Sequence, residues 1–149
     1  MISAGIHEAV ESFVKRLGVP SSQVFGVEVY FDEKGDYRDY DRQSPMTSQH
    51  GKRKIVEALL SSHPRLIHVG DGMNDVEAAS LVERFIGYGG AYYRDHIASL
   101  CDFYIKARSL SAVLPLCLTK IESERLSSDH RSIYQKGLKQ INDGQVLIK

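Results

Sequence analysis

The sequence contains no long apolar run. The longest, from Ala112 to Leu118, is interrupted by Pro115 and is far shorter than the roughly 20 residues that cross a bilayer. The first residues also lack the basic segment and apolar stretch of a secretory signal, because His7, Glu8 and Glu11 interrupt them. We therefore expect a cytoplasmic protein that has no membrane partner.

The chain also has no excess of charge of either sign. Its 19 basic residues balance 19 acidic ones, so no basic stripe favours a nucleic-acid partner. It has only two cysteines, Cys101 and Cys117, which lie among apolar neighbours and lack the spacing of a metal site. We interpret them as buried, reduced thiols, and we expect a small-molecule or protein partner.

The most informative stretch runs from Leu66 to Ala79, with the sequence LIHVGDGMNDVEAA. Its apolar start predicts a buried strand, and its second half predicts a helix. Gly70 and Gly72 flank Asp71 and favour a sharp turn there. In open α/β sheets ligands bind at the carboxyl ends of the strands, so this pattern places Asp71 where a ligand is expected.

The chemistry of this turn suits a phosphorylated ligand and its cation. Asp71 is a candidate Mg²⁺ ligand, because this ion prefers oxygen ligands that it shares with phosphate. Asn74 is a candidate donor to a phosphate oxygen, and Asp75 can hold a cation or an ammonium group near the first carboxylate. Taken alone, an Asp-Gly pair is an ordinary turn and an Asp before a helix is an ordinary N-cap.

Two further segments contain candidate anion-binding groups. Ser3 precedes a helix and is a candidate phosphate ligand through its hydroxyl and the following amide of Ala4, although it could also be a plain N-cap. Lys52 opens a second helix, where a positive charge is unfavourable for the helix itself and an anionic partner would compensate it. The alternative for Lys52 is a solvated surface lysine.

The remaining pattern predicts alternating strands and helices. Residues 27–31 and a limb ending near Tyr40 predict a β-hairpin, and residues 85–87 and 103–105 predict two more strands, the second of them the last. A helix is expected over residues 110–121. From residue 123 the composition turns polar, so we predict one domain over residues 1–122 and a linker with an appended helical tail over residues 123–149, which packs on the body or on a second subunit.

These segments together resemble the haloacid dehalogenase-like phosphatases, and most closely their phosphoserine phosphatase subgroup. The second motif of that family is resembled by Ile2-Ser3-Ala4-Gly5, its third by Gly51-Lys52, and its fourth by Gly70-Asp71-Gly72-Met73-Asn74-Asp75. The resemblance extends from Ile2 to about Glu122. It implies an α/β fold, with a three-layer Rossmann-like core and a mostly parallel sheet.

The resemblance also implies a reaction and a role for each matched residue. The family hydrolyses phosphomonoesters through a covalent aspartyl-phosphate and uses Mg²⁺. Carried over to this sequence, Asp71 would bind the metal, with Asp75 orienting the metal or Lys52. Ser3, Ala4, Lys52 and Asn74 would contact the phosphate of a small phosphorylated metabolite.

The first motif of the family is an apolar strand that ends in Asp-x-Asp, and it should precede Ser3. Only Met1 and Ile2 do so here. Two other segments contain candidate nucleophiles. Asp39-Tyr40-Asp41 has the spacing but follows a polar segment, and Asp32 ends a strand but is followed by Lys34 where the second Asp would stand. We therefore expect a core that lacks its central nucleophile strand, and a lone chain without phosphatase activity.

Other functions remain open from the sequence. The chain could be a non-catalytic remnant, or half of a split phosphatase that binds Mg²⁺, phosphate, a separately encoded N-terminal piece or a second copy of itself. The phosphorylation domain of cation-pumping ATPases shares the same Gly-Asp-Gly string, but the close spacing of the Ser3 and Lys52 segments and the lack of a membrane span argue against it. A receiver domain would need an acidic cluster at the end of its first strand, and the sequence has none there.

Overall fold

The computed structural model describes all 149 residues, which divide into two compact units. The N-terminal unit covers Met1–Pro64, and the C-terminal unit covers Arg65–Lys149. This division lies elsewhere than the boundary that we predict at residue 122. No helix in either unit combines the length and the apolar character needed to cross a membrane.

The N-terminal unit contains two small sheets and two helices. Strands β1 and β2 are parallel, whereas β3 and β4 form the antiparallel hairpin. The elements are β1 (Ile2–Ile6), α1 (His7–Lys15), β2 (Phe25–Val27), β3 (Val29–Phe31), β4 (Tyr37–Tyr40) and α2 (Gly51–Leu60).

The structure confirms the predicted hairpin but shortens its first strand. Val27 belongs to β2 and pairs with Ile6, whereas Val29 begins β3 and pairs with Tyr40. The chain changes partner at Glu28, although the alternation of side chains continues through it. Alternation reports which side chains share a face, and it does not report which strand lies alongside.

The C-terminal unit is built on a four-stranded sheet in the order β5-β6-β7-β8. The first three strands are parallel and β8 is antiparallel to β7. The elements are β5 (Ile67–Gly70), α3 (Met73–Val76), β6 (Arg84–Tyr88), α4 (Asp95–Leu100), β7 (Phe103–Ile105), α5 (Val113–Cys117), α6 (Lys120–Glu124), α7 (Ser128–Asn142) and β8 (Val146–Ile148).

Both faces of this sheet are covered by apolar groups. One cluster includes Phe85, Ile97, Cys101 and Tyr104, and the other contains Ile86, Ile105, Ala112, Leu116 and Val146. The expected α/β fold with a mostly parallel sheet is therefore confirmed. The missing nucleophile strand stays a prediction, although β5 is a terminal strand of its sheet.

Three sequence predictions fail in the C-terminal unit. The strand at residues 103–105 is not the last, because β8 pairs with it and is followed only by Lys149. The single helix expected over residues 110–121 is divided into a 3-10 turn (Leu110–Ala112), α5 and α6. The helix predicted after Asp71 is present, although it is only four residues long. Residues 123–149 contain α7 and β8, so they complete the sheet rather than hang from it as a tail.

Candidate functional site

The Gly-Asp-Gly-Met-Asn-Asp string lies at the carboxyl end of β5, as its pattern predicts. Gly70 is the last residue of the strand, and α3 begins at Met73. The parallel register pairs Gly70 with Gly87 of β6. The segment after β6 therefore lies beside the turn that contains Asp71, which is the arrangement that creates ligand sites in α/β sheets.

Asp71 is exposed and is paired with a cation. Its side chain is 60% exposed, and the guanidinium of Arg94 donates to its Oδ2 over 2.8 Å. The same guanidinium also donates to the backbone carbonyl of Asp71. The main chain of Arg94 is fixed in turn, because its N–H donates to the hydroxyl of the buried Tyr104 over 3.0 Å. Asp71 is thus an accessible carboxylate with a cation at its side.

Asp75 lies in a different environment from Asp71. It is 3% exposed, and its Oδ2 accepts a hydrogen bond from the Gly72 N–H over 3.2 Å. Its Oδ1 lies 3.1 Å from Nε2 of His68. Burial of a carboxylate is costly unless its oxygens are hydrogen-bonded, and these contacts meet that need. Asn74, by contrast, is exposed.

The two glycines of the string have different roles. A Cβ on Gly70 would stand 2.2 Å from the Cβ of Asp75, so only glycine allows the buried carboxylate to approach the strand. A Cβ on Gly72 would meet nothing closer than 3.8 Å, and the φ of −131° at Gly72 suits any residue. The predicted steric need for glycine therefore holds at Gly70 and not at Gly72.

These observations test how well the donor set fits Mg²⁺. No group of three or more His, Cys, Asp or Glu side chains in the described chain is arranged to hold a metal. Mg²⁺ commonly uses only one or two protein carboxylates together with water and phosphate oxygens. Asp71 fits as one such ligand because it is exposed and already pairs with a cation. Asp75 is less suited, because both of its oxygens are engaged within the unit.

The predicted phosphate ligands of the N-terminal unit occupy two elements. Ser3 and Ala4 lie within β1, where the register against β2 is irregular between Ile2 and Ile6. The Ser3 hydroxyl accepts a hydrogen bond from the Gly5 N–H over 3.1 Å. Helix α1 begins only at His7, so the alternative that Ser3 is its N-cap is wrong.

Lys52 is the second residue of α2 and is half-buried. The start of this helix is fixed by close packing, because a Cβ on Gly51 would stand 2.4 Å from the carbonyl oxygen of Pro45. The neighbouring Lys54 donates to the hydroxyl of Ser48 over 2.9 Å. Lys52 therefore has a defined position at the helix start, and its role toward phosphate remains a prediction.

The two substitutes for a nucleophile are excluded by their surroundings. Asp32 accepts hydrogen bonds from Lys34 and Asp36 in the hairpin turn. The Asp39 carboxylate binds Arg42 at 3.1 Å, and hydrogen bonds from the Tyr40 N–H and from Arg42 lower its pKa. Neither carboxylate follows a strand of a parallel sheet, which agrees with their rejection from sequence.

The sequence interpretation missed His68 and Arg94. A histidine inside an apolar strand reads as an ordinary core residue, and the Arg94 segment carries no motif. A usable signal was the position of Arg94 in the segment that follows β6. In a parallel sheet this segment lies next to the turn after β5, so its polar residues are candidates for the same site. Both thiols are free, but only Cys101 is buried as predicted, whereas Cys117 is half-buried; burial raises the pKa of each thiol.

Known proteins that are similar in sequence to this chain include phosphoserine phosphatases. The chain is 32% identical over 107 residues to a phosphoserine phosphatase from Bos taurus, and the match covers 70% of this chain and 48% of that protein. A phosphoserine phosphatase from Homo sapiens is 31% identical over 107 residues, and this match also covers 70% of this chain and 48% of that protein. These similarities support the resemblance to the haloacid dehalogenase-like phosphatases, phosphoserine phosphatase subgroup, that the motifs of the chain indicate. No family model matches it.

A solved structure supports the fold of this chain. A phosphoserine phosphohydrolase-like protein from Francisella tularensis superposes with a TM-score of 0.64 at 22% identity, over 76% of this chain and 53% of that one. The chain spans about half the length of the curated phosphoserine phosphatases that it matches. The similarity therefore supports phosphatase activity for this chain only as a proposal.

Proposed function

We propose that this chain supplies the metal and phosphate side of a phosphomonoesterase of the haloacid dehalogenase type, whose nucleophilic aspartate comes from a segment outside these 149 residues. The observation that supports this proposal is the exposed Asp71 carboxylate at the carboxyl end of β5, in the Gly-Asp-Gly-Met-Asn-Asp string that resembles the family's fourth motif. The substrate class would be a small phosphorylated metabolite such as phosphoserine, because the similar proteins are named phosphoserine phosphatases.

The roles proposed for the individual residues follow from their chemistry. Asp71 would hold Mg²⁺, which when bound would neutralise charge on the phosphoryl group. Lys52 and Ser3 would contact the phosphate, together with Asn74 and the Ala4 amide. Asp75 would orient the metal-binding turn through its buried contacts rather than bind the ion directly, because its oxygens already contact His68 and the Gly72 N–H. The free thiols of the chain support a cytosolic location.

A second candidate function is a non-catalytic binding module that pairs with another chain. It is supported by the terminal position of β5, whose outer edge has no partner strand within its sheet. Val69 on this strand is 36% exposed. The pairing chain would be a separately encoded piece that carries the nucleophile strand, or a second copy of this chain.

Activity measurements separate these functions. We expect the purified 149-residue chain to show no Mg²⁺-dependent hydrolysis of phosphoserine or p-nitrophenyl phosphate. Co-expression with the part of a relative that carries its Asp-x-Asp strand should restore turnover, and Asp71→Asn should then lower kcat/KM at least a hundredfold, as is typical for the loss of such electrostatic stabilisation.

Two outcomes would contradict the proposal. Turnover by the isolated chain that Asp71→Asn abolishes would show that no outside nucleophile is needed. Failure of a co-purified, folded complex to hydrolyse any phosphomonoester would favour the binding module. Arg65→Gln is the matched control, because Arg65 pairs with Glu83 before β5 begins and its loss should leave turnover unchanged.

Arg94 provides a direct test of cation binding at Asp71. Its guanidinium lies against the carboxylate at 2.8 Å, so it competes with a metal ion for the same charge. We expect Arg94→Gln to tighten Mn²⁺ binding by the full chain about three- to tenfold, since the pair is partly exposed and worth about 1 kcal/mol. Titration followed by the electron paramagnetic resonance of free Mn²⁺ measures this change.

The controls for this titration lie in the same unit. Asp71→Asn should weaken Mn²⁺ binding in both the wild-type and the Arg94→Gln backgrounds, whereas Arg65→Gln should leave it unchanged. Weaker Mn²⁺ binding by Arg94→Gln than by the wild type would contradict the competition, and would show that Arg94 supports the cation site instead.

A further inference from the structure

The buried contact between His68 and Asp75 is a feature that the family motif does not require. Nε2 of His68 lies 3.1 Å from Oδ1 of Asp75, and the two side chains are 13% and 5% exposed. His68 is on the strand before the motif and Asp75 is the last residue of the motif, so the contact links the two ends of the Asp71 turn.

The position of the imidazole is fixed by the sheet. His68 pairs with Phe85 in the register of β5 and β6, and the two rings stack at 5.8 Å with an interplanar angle of 23°. Because side chains alternate along a strand, His68 shares its face with Gly70. Gly70 offers no side chain, and the Asp75 carboxylate fills the space that its Cβ would occupy. The imidazole and the carboxylate therefore meet on one side of β5.

The carboxylate then fixes the turn. Oδ2 of Asp75 accepts the N–H of Gly72, the residue directly after Asp71. A chain of contacts therefore leads from Phe85 through His68 and Asp75 to the Gly72 amide. Groups that orient a ligand in this way affect function although they touch neither metal nor substrate.

We propose that His68 is a positioning residue that, through Asp75, holds the Gly70–Gly72 turn in the conformation that presents Asp71. Its effect on catalysis rests on the function proposed above, whereas its effect on the turn does not. Without a hydrogen-bonding group at position 68, the buried carboxylate loses one of the partners that orient it toward Gly72. The Gly72 amide then loses its acceptor.

The test uses the full chain with His68→Leu, which keeps an apolar side chain against Phe85, and His68→Gln, whose amide can replace Nε2. The readout is the ¹H–¹⁵N resonance of Gly72 and its hydrogen-exchange rate. We expect His68→Leu to shift this resonance and to raise the exchange rate at least tenfold, and His68→Gln to remain close to the wild type. His130→Leu is the control, because His130 is exposed on α7.

Two results would overturn this proposal. One is a Gly72 amide that is unchanged in His68→Leu. The other is a Gln variant whose Gly72 amide is as perturbed as that of the Leu variant, because a role without the hydrogen bond would then explain both. Resonances of β6 and β7 report whether the unit remains folded in each variant.

A kinetic measurement on the co-expressed complex extends the test. Loss of a group that orients a ligand typically costs about 10- to 100-fold in activity or metal affinity. We expect His68→Leu to lower kcat by this factor, and His68→Gln to recover most of it. If the complex does not hydrolyse phosphomonoesters at all, the proposed function fails, while the Gly72 measurement still decides the role of His68.

Discussion

Replacing Tyr104 with alanine is expected to lower the free energy of unfolding of the C-terminal unit by about 3–5 kcal/mol, the usual cost of removing a buried aromatic side chain. Tyr104 is fully buried in β7 and packs with Phe85, Ile97, Ala98 and Cys101. Its ring also stands edge-on to the ring of Tyr93 at 5.3 Å between centroids. Removing it would leave a cavity in this cluster.

Two glycines make room for this tyrosine. A Cβ on Gly87 would stand 2.5 Å from its Cδ2, and a Cβ on Gly89 would stand 2.4 Å from its hydroxyl oxygen. The absence of side chains at Gly87 and Gly89 thus leaves the space that the large ring of Tyr104 occupies. Because the surrounding strands are paired on both sides of β7, they cannot easily collapse into the vacated space.

The variant Tyr104→Phe tests the contribution of the hydroxyl separately from that of the ring. It removes only the acceptor of the Arg94 N–H, so we expect a loss of about 1 kcal/mol and a less ordered Arg94 guanidinium beside Asp71. Hydrogen exchange of the β6 and β7 amides measures the stability of this unit by itself. Tyr37→Ala, at an exposed position in the other unit, is the control. A loss below 1 kcal/mol for Tyr104→Ala would contradict the packing described here.

The second large effect concerns Gly137 in the middle of α7. In an isolated helix, alanine is more favourable than glycine by about 1 kcal/mol, so helix propensity predicts that Gly137→Ala stabilises the protein. The structure predicts the opposite. Gly137 is buried, and a Cβ there would stand 2.3 Å from the carbonyl oxygen of Ser111 and 2.8 Å from the Cδ of Pro115.

We expect Gly137→Ala to destabilise the C-terminal unit by about 1–3 kcal/mol, because α7 would have to move away from the segment beneath it. Gln140, one turn later, holds the same segment through a hydrogen bond from the Ala112 N–H to its Oε1 over 3.0 Å. Urea unfolding followed by circular dichroism measures the change. The control Ser132→Ala, at an exposed site on the same helix, should have little effect, and a stabilised Gly137→Ala protein would contradict the close packing.

Local pattern predicted elements of both units. The apolar run before Gly70 predicts β5, and the glycine-flanked Asp71 is placed correctly at its carboxyl end. The hairpin is also local, because a polar turn joins two alternating segments. Such features depend on neighbours in the chain, so the sequence shows them directly. The pattern failed where pairing is non-local, as at β8, whose partner β7 lies about forty residues earlier.

The sequence by itself determined the α/β alternation, the motif that contains Asp71 and Asp75, and the resemblance to the haloacid dehalogenase-like phosphatases. Only the tertiary structure decided that one of these carboxylates is exposed against Arg94 while the other is buried against His68. The physical reason is that burial and pairing depend on which strands lie side by side. The alignment of β5 with β6 brings Phe85 against His68 and places the segment containing Arg94 beside Asp71, and no local pattern encodes that alignment.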